Sequence, residues 1–282
     1  MTATTATLPS LIAPLQIWTE LHRREPRLAG AAFLLLSLMP PTLFAMAVDT
    51  RTFNGVNIWI KPLKFQIALF IYLATLAWFA GWLPPEKLQS RKFRLYSCAV
   101  VAAVTLEIVW IAGASVFGVG SHYNVATPFM AMVYPLMGAL AVLLTSMSLV
   151  MGVMFWRDRN STLAPSFRLS LALGLVLTFV LTVIAAGTLS SLPDHWIGGT
   201  KSDAGGSAIF GWSRTGGDLR VAHFFATHAM HVIPLVGFVA SLTLPDKAAA
   251  RLVVATSIAF TAFVAAIFYQ ALSGAPFAPS LL

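Results

Sequence analysis

The sequence is poor in charge and in cysteine. Charged residues make up only 10% of its 282 residues, whereas a soluble domain carries roughly 25% because its surface must face water. The one cysteine, Cys98, cannot form a disulfide within the chain, which excludes a disulfide scaffold. Apolar residues are abundant instead, at 58% of the chain with a mean hydropathy of +0.80. This composition excludes a disordered chain and indicates a protein whose solvent is lipid.

Seven apolar stretches are long enough to cross a bilayer, whose core of about 30 Å needs ~20 helical residues. The first contains Pro40 and Pro41, where missing amide donors are expected to kink the helix. The fold class is therefore an all-α integral membrane protein, a bundle of seven transmembrane helices. The predicted spans are about 28–48, 62–82, 95–118, 128–156, 167–192, 219–243 and 248–271.

The distribution of Lys and Arg sets the orientation of such a bundle. With the N-terminus inside, twelve of the 18 basic residues fall in inner segments and six in outer ones. We therefore predict a multi-pass protein of the plasma (inner) membrane with a cytoplasmic segment 1–27, a transmembrane domain 28–272 and an external tail 273–282. Apolar residues recur at helical spacing over 8–18, which predicts a short interfacial helix. Because the basic residues form no single patch, no nucleic-acid partner is expected.

The longest linker, residues 193–218, is rich in glycine and contains Trp196, Phe210 and Trp212. It is interpreted either as a solvated connector whose aromatic rings rest on the membrane interface, or as a lid over an external cavity. The connector is the preferred interpretation; the argument for a lid is that long irregular loops within compact folds are often functional. Asp218, at the end of this linker, is expected to cap the sixth helix.

Ionisable side chains inside a membrane are costly and suggest a function. Glu107 is the one acidic residue well inside a span, ~16 Å below its outer edge, and His228 and His231 lie about 15 and 20 Å deep in the sixth span. The two histidines are ~60° apart on one helical face. We therefore predict that they share a metal ion, with Glu107 as a third ligand or as the catalytic base.

His122 and His223 belong to different segments near the outer rim, where a histidine pair can ligate a haem. The predicted cofactor is therefore haem or a transition metal, and iron, copper and zinc all suit imidazole. The alternative is that all of these histidines only form hydrogen bonds across the bundle.

Two lysines at the outer start of the second span, Lys61 and Lys64, run against both the positive-inside rule and the helix dipole. Together with Arg220 they are predicted to hold an anionic ligand or a lipid head group; the alternative is snorkelling to lipid phosphates. A direct pair between Lys64 and Glu107 is not expected, because their depths differ by more than a lysine's reach of ~6 Å.

The polar residues of the outer half are similar in kind to those of the seven-helix zinc hydrolases, which include alkaline ceramidases and adiponectin receptors. Those proteins combine a Ser-x3-His with a late His-x3-His. Here Ser115 and His122 are seven residues apart, and only two residues separate His228 from His231. The resemblance implies a zinc-bound water as nucleophile and an amphiphilic substrate. Since both spacings differ, no residue role is carried over.

Three functions are consistent with these features. The leading hypothesis is a haem- or metal-dependent membrane oxidoreductase or electron carrier with an outward-facing His/Glu site. The second is a zinc-dependent hydrolase, and the third is a cofactor-free proton-coupled transporter or accessory subunit. The expected partners are the lipid bilayer and a quinone, a lipid or another small amphiphile.

Overall fold

A computed structural model describes residues 14–277, most of which are helical. Two short antiparallel ribbons lie in the connections, β1 (Thr52–Phe53) with β2 (Val56–Asn57) and β3 (Trp196–Ile197) with β4 (Gly217–Asp218). The helices are α1 (Pro14–Arg24), α2 (Pro26–Val48), α3 (Ile60–Ala80), α4 (Pro85–Leu88), α5 (Arg91–Val116), α6 (Pro128–Arg157), α7 (Pro165–Ser191), α8 (Leu219–Thr227), α9 (Ala229–Thr243) and α10 (Asp246–Leu272).

Six of these helices are long and apolar enough to cross a membrane, and α8 with α9 gives a seventh span when the bent pair is counted as one. The spans lie close to the predicted ones, so the all-α multi-pass bundle is confirmed. In the predicted orientation, α2 begins on the cytoplasmic side. The predicted interfacial helix is represented by α1 from Pro14 onward, while its earlier part and residues 278–282 of the tail lie outside the described residues.

One break interrupts a membrane span of the described residues, and it does not lie at Pro40 and Pro41. α2 runs without interruption through Pro40 and Pro41. The break falls instead at His228, where α8 and α9 meet at 40° and the backbone has φ −92° and ψ 0°. Thr178 of α7 accepts a hydrogen bond from the Met230 amide at 2.8 Å. A side chain of a neighbouring helix thus satisfies a donor that the break leaves without its helical partner.

The helices form two groups that are joined by the packing of α6 on α7. The first group consists of α1, α2, α3, α5 and α6, and the second consists of α7, α8, α9 and α10. Away from the α6–α7 contact, α3 and α5 make few contacts with α8 and α9. The region where α3 and α5 face α8 and α9, which we call the cleft, contains most of the polar side chains that the sequence singles out.

Candidate functional site

Residues 193–218 form a structured lid over the outer end of the cleft. The amide of Asp203 and the hydroxyl of Ser202 both donate to the Asn54 carbonyl in the β1–β2 turn, at 2.9 and 3.1 Å. Trp196 and Trp212 are only 7% and 5% exposed, so they are packed within the protein and do not rest on the membrane interface. This geometry favours the lid over the solvated connector.

Two cations from opposite sides of the cleft hold neighbouring carbonyls of the lid, a pair of contacts that we call the clasp. Lys64 of α3 donates from Nζ to the Phe210 carbonyl at 2.8 Å. Arg220 of α8 donates from Nη2 to the Gly211 carbonyl at 2.9 Å. The clasp therefore ties the two helix groups together through the lid backbone.

Arg220 is also neutralised by two carboxylates. Its Nη2 lies 2.6 Å from Asp218 Oδ2 and 2.8 Å from Asp203 Oδ1. Burial by itself raises the pKa of Asp203, but contact with His195 and the charge of Arg220 outweigh burial, so the pKa is lowered overall. Asp218 caps α8 as expected, by accepting from the Arg220 amide. Of the three predicted anion-binding cations, Lys64 and Arg220 are thus occupied by the lid.

The third cation, Lys61, lies in the first turn of α3 and interacts electrostatically with Glu107 of α5. No ion pair within residues 14–277 includes either side chain. Glu107 is 3% exposed, and its Oε1 is buried without a hydrogen-bond partner. Lys61 keeps part of its surface accessible. A buried acceptor, Glu107 Oε1, and an amine without an ion pair, Lys61 Nζ, thus lie in the outer half of the cleft. The sequence did not suggest this combination, because only Lys64 was considered as a partner of Glu107.

His122 and His223 lie within electrostatic range of each other. His122 lies in the α5–α6 connection, with its Nδ1 3.1 Å from the Ser121 hydroxyl. Burial first, and then the charges of Lys61 and His223, lower the pKa of His122 to about 3. The ring is therefore neutral at physiological pH and can both donate and accept a hydrogen bond.

His228 and His231 are also neighbours, with ring centroids 5.2 Å apart. His228 Nδ1 lies 2.7 Å from the Phe224 carbonyl, so this nitrogen carries the proton and Nε2 is left as an acceptor. His231 Nε2 lies 3.1 Å from the Thr75 hydroxyl, and its Nδ1 is buried without a partner. Each histidine thus makes one fixed contact and keeps one free ring nitrogen.

The predicted three-ligand metal site receives no support from this geometry. Within residues 14–277, no group of three or more His, Cys, Asp or Glu side chains is arranged to hold a metal ion. The one charge that acts on Glu107 among the described residues is that of Lys61. Ser115, which carries part of the resemblance to zinc hydrolases, is buried and donates to the backbone carbonyls of Ile58 and Ile111.

A row of aromatic rings, absent from the sequence prediction, connects the lid to the broken helix. Phe210 stacks on Trp212 at 4.3 Å, Phe210 lies 4.8 Å from Phe224, and Phe224 lies 4.2 Å from His228. The rings thus connect the lid, through Phe224, to the histidine at which α8 ends. A cluster of phenylalanines in α8 is the sequence signal that could have indicated such a row.

The fold defines a class, that of polytopic helical membrane proteins. Comparison with known protein families, with curated proteins and with solved structures gives no match for this chain. The functional argument therefore rests on the residues of the cleft.

Proposed function

We propose that this protein binds a small amphiphile in the outward-facing cleft beneath the lid, with the ligand's head group between Lys61 and Glu107. The supporting observation is the buried Glu107 oxygen that has no hydrogen-bond partner, near an amine that has no ion pair. A buried polar group left unsatisfied costs about 1–3 kcal/mol. A ligand that bonds to both side chains removes this cost and so binds with a specific orientation.

The two side chains define the chemistry of the head group. Lys61 supplies only donors, and an ionised Glu107 supplies only acceptors. A ligand for both therefore carries an acceptor at one end and a donor at the other. A quinol has this arrangement, because its ring carries hydroxyl groups on opposite sides, each of which can donate or accept, and its tail is apolar. The oxidised quinone carries only acceptors and therefore satisfies Lys61 alone. A phosphodiester offers only acceptors, so it satisfies Lys61 and leaves Glu107 without a partner.

A haem or a transition metal is the second candidate ligand of the same region, and it would make the protein an oxidoreductase or electron carrier of the plasma (inner) membrane. The observation that favours it is the hydrogen bond from His228 Nδ1 to the Phe224 carbonyl. Such a bond fixes the ring and leaves Nε2 free, as is typical of histidine ligands. His122 and His223 would be the haem ligands at the rim, and a bound metal would accept electrons from the quinol.

Titration of the detergent-purified protein with decylubiquinol, a short-chain quinol kept reduced under anaerobic conditions, tests the main proposal. We expect the wild type to bind. Lys61→Gln and Glu107→Gln should each weaken binding at least about tenfold, which is the loss expected for one hydrogen bond to a charged group. Glu107→Gln should unfold no more easily than the wild type, because it removes an unsatisfied carboxylate. Lys201→Gln, a lysine on the outer face of the lid, is the matched control and should bind like the wild type.

Equal binding by all of these variants, or none by the wild type, would contradict the proposal and leave the transporter hypothesis. The cofactor is tested separately by the absorption spectrum and metal content of the wild type beside a His228→Ala/His231→Ala double variant. Iron or copper that is lost in the variant supports an oxidoreductase, and zinc supports the hydrolase. Protein without metal excludes the cofactor but not the quinol site.

A further inference from the structure

A groove open to the lipid separates the cytoplasmic halves of α2 and α5. It encloses about 450 Å³ and is lined largely by small side chains, among them Gly30 and Ala31 of α2 and Cys98 and Ala102 of α5. A Cβ added at Gly30 would meet nothing within 4 Å. The two helices therefore leave a channel at a depth where lipid acyl chains surround the protein.

The cytoplasmic end of this groove is positively charged. Arg27 lines the groove and forms an ion pair with Glu25, whose carboxylate also caps the first amides of α2. Arg94 lies four residues before Cys98, on the same face of α5. Arg94 takes part in no ion pair within the described part of the chain. Two guanidinium groups are thus balanced by one carboxylate.

We propose that this groove binds an anionic phospholipid of the cytoplasmic leaflet, with one acyl chain over Gly30 and the phosphate at Arg27 and Arg94. Guanidinium groups bind phosphate through paired, charge-assisted hydrogen bonds. The cytoplasmic leaflet is the one that carries anionic lipids and attracts basic residues near the membrane surface. Because an acyl chain gains no hydrophobic free energy on leaving other lipid, selectivity depends on the charge and on the shape of the groove.

This site does not depend on the proposed function, because it lies at the opposite end of the bundle from the cleft. The occupant is a lipid and not a second copy of the chain, because Arg27 and Arg94 complement a phosphate, whereas a second copy would bring the same positive charges to this face. A protein dimer that forms through this face would be visible as such in the experiment below.

Native mass spectrometry tests the proposal on the full chain, extracted from vesicles of equimolar phosphatidylcholine and phosphatidylglycerol. We expect the wild type to retain phosphatidylglycerol in preference to phosphatidylcholine. Arg94→Gln should reduce this preference about fivefold, the effect of one basic residue at an anionic surface. Gly30→Leu fills the groove without a change of charge and should abolish retention. Arg159→Gln, in another cytoplasmic connection, is the control and should retain lipid like the wild type.

Cys98 gives a second readout without any further mutation, since it is the only cysteine and lines the groove. Its modification by N-ethylmaleimide should slow when phosphatidylglycerol is added to phosphatidylcholine vesicles, in the wild type but not in Arg94→Gln. Equal retention of the two lipids by the wild type, retention unchanged by Gly30→Leu, or a dimer without bound lipid would each overturn the proposal.

Discussion

Arg24 contacts α3 near its predicted cytoplasmic end, and Lys61 lies in the first turn of α3 at the predicted outer end. Both are cations, yet one has partners for its charge and the other has no ion pair. Arg24 pairs with Glu20 at 2.7 Å, donates to the Trp78 carbonyl at 2.6 Å and lies 4.0 Å from the centre of the Trp78 ring. Lys61 has an electrostatic neighbour in Glu107 but forms no ion pair in the part of the chain described. Arg24 thus completes its polar contacts within the chain, whereas Lys61 leaves its amine open for the proposed ligand.

Packing shows the same contrast. The largest apolar cluster joins α2, α3, α5, α6 and α7 and includes the fully buried Met147 and Met151 of the inner half. The cluster around Trp212, beneath the lid, is small and mostly aromatic. The outer end is therefore stabilised by hydrogen bonds and ring contacts of the lid more than by a deep core, so that changes at the two ends should have different consequences.

The largest effect is expected at the base of the lid. A Cβ at Gly217 would lie 1.9 Å from the Ala271 carbonyl oxygen of α10, so Gly217→Ala forces β4 away from α10. We expect a loss of about 3 kcal/mol in the free energy of unfolding, measured by denaturant titration in detergent. Gly187→Ala, where nothing lies within 4 Å, should cause no such loss. Similar stabilities for the two variants would show that the lid is not anchored there.

Arg24→Ala should be the next most damaging change, because Arg24 is 13% exposed and holds α1 on α3. We expect a loss of about 2 kcal/mol from the hydrogen bonds and the cation–π contact. Lys61→Ala should be nearly neutral for unfolding while it weakens ligand binding. A comparable loss of stability in Lys61→Ala would remove the distinction between the structural cation and the binding cation.

Above pH 5, a pH dependence of stability should arise at the outer end. Folding lowers the pKa of His122 to about 3, whereas the ordinary pKa of a histidine is about 6.5. Below pH 6.5 the unfolded chain therefore binds a proton at His122 more readily than the folded chain does. Stability is fully present above that value and falls as the pH decreases towards 3, by up to roughly 2 kcal/mol at pH 5. His122→Gln should flatten this part of the pH profile.

The smallest effect is expected for Lys201, whose ion pair with Asp194 at 2.7 Å is 63% exposed on the lysine side. Lys201→Ala should change the free energy of unfolding by less than about 0.5 kcal/mol.

Lys64→Ala removes one half of the clasp and should increase amide hydrogen exchange within residues 193–218, whereas Lys201→Ala should not. Equal exchange in both variants would mean that Lys64 does not hold the lid.

The spans could be predicted from the sequence because the thickness of the bilayer imposes a minimum length on every apolar helix. The residues of the cleft could be singled out for a similar reason, since an ionisable group in an apolar span is conspicuous. Their pairings could not. Whether Glu107 lies near Lys61 or near His228 depends on the relative height and rotation of α3, α5 and α8, which hydropathy does not encode.

The break at His228 and the closure of the lid escaped prediction because their causes are distant in sequence. No proline or glycine marks the break itself, and the hydrogen bond that compensates for it comes from Thr178 of another helix. The lid meets Asn54, in a turn about 150 residues earlier in the chain. Pro40 and Pro41 are the opposite case. They are a strong local signal for an interrupted helix, yet α2 continues through both of them.

The clasp has a consequence for how the lid can vary. Lys64 and Arg220 donate hydrogen bonds to the backbone carbonyl oxygens of Phe210 and Gly211. Every residue type supplies such a carbonyl. Substitution of side chains along the lid therefore leaves the closing contacts in place, provided that the turn keeps its shape at Gly211, whose φ is +67°. The outer surface of the lid is free to diverge in sequence while the two cations beneath it are not.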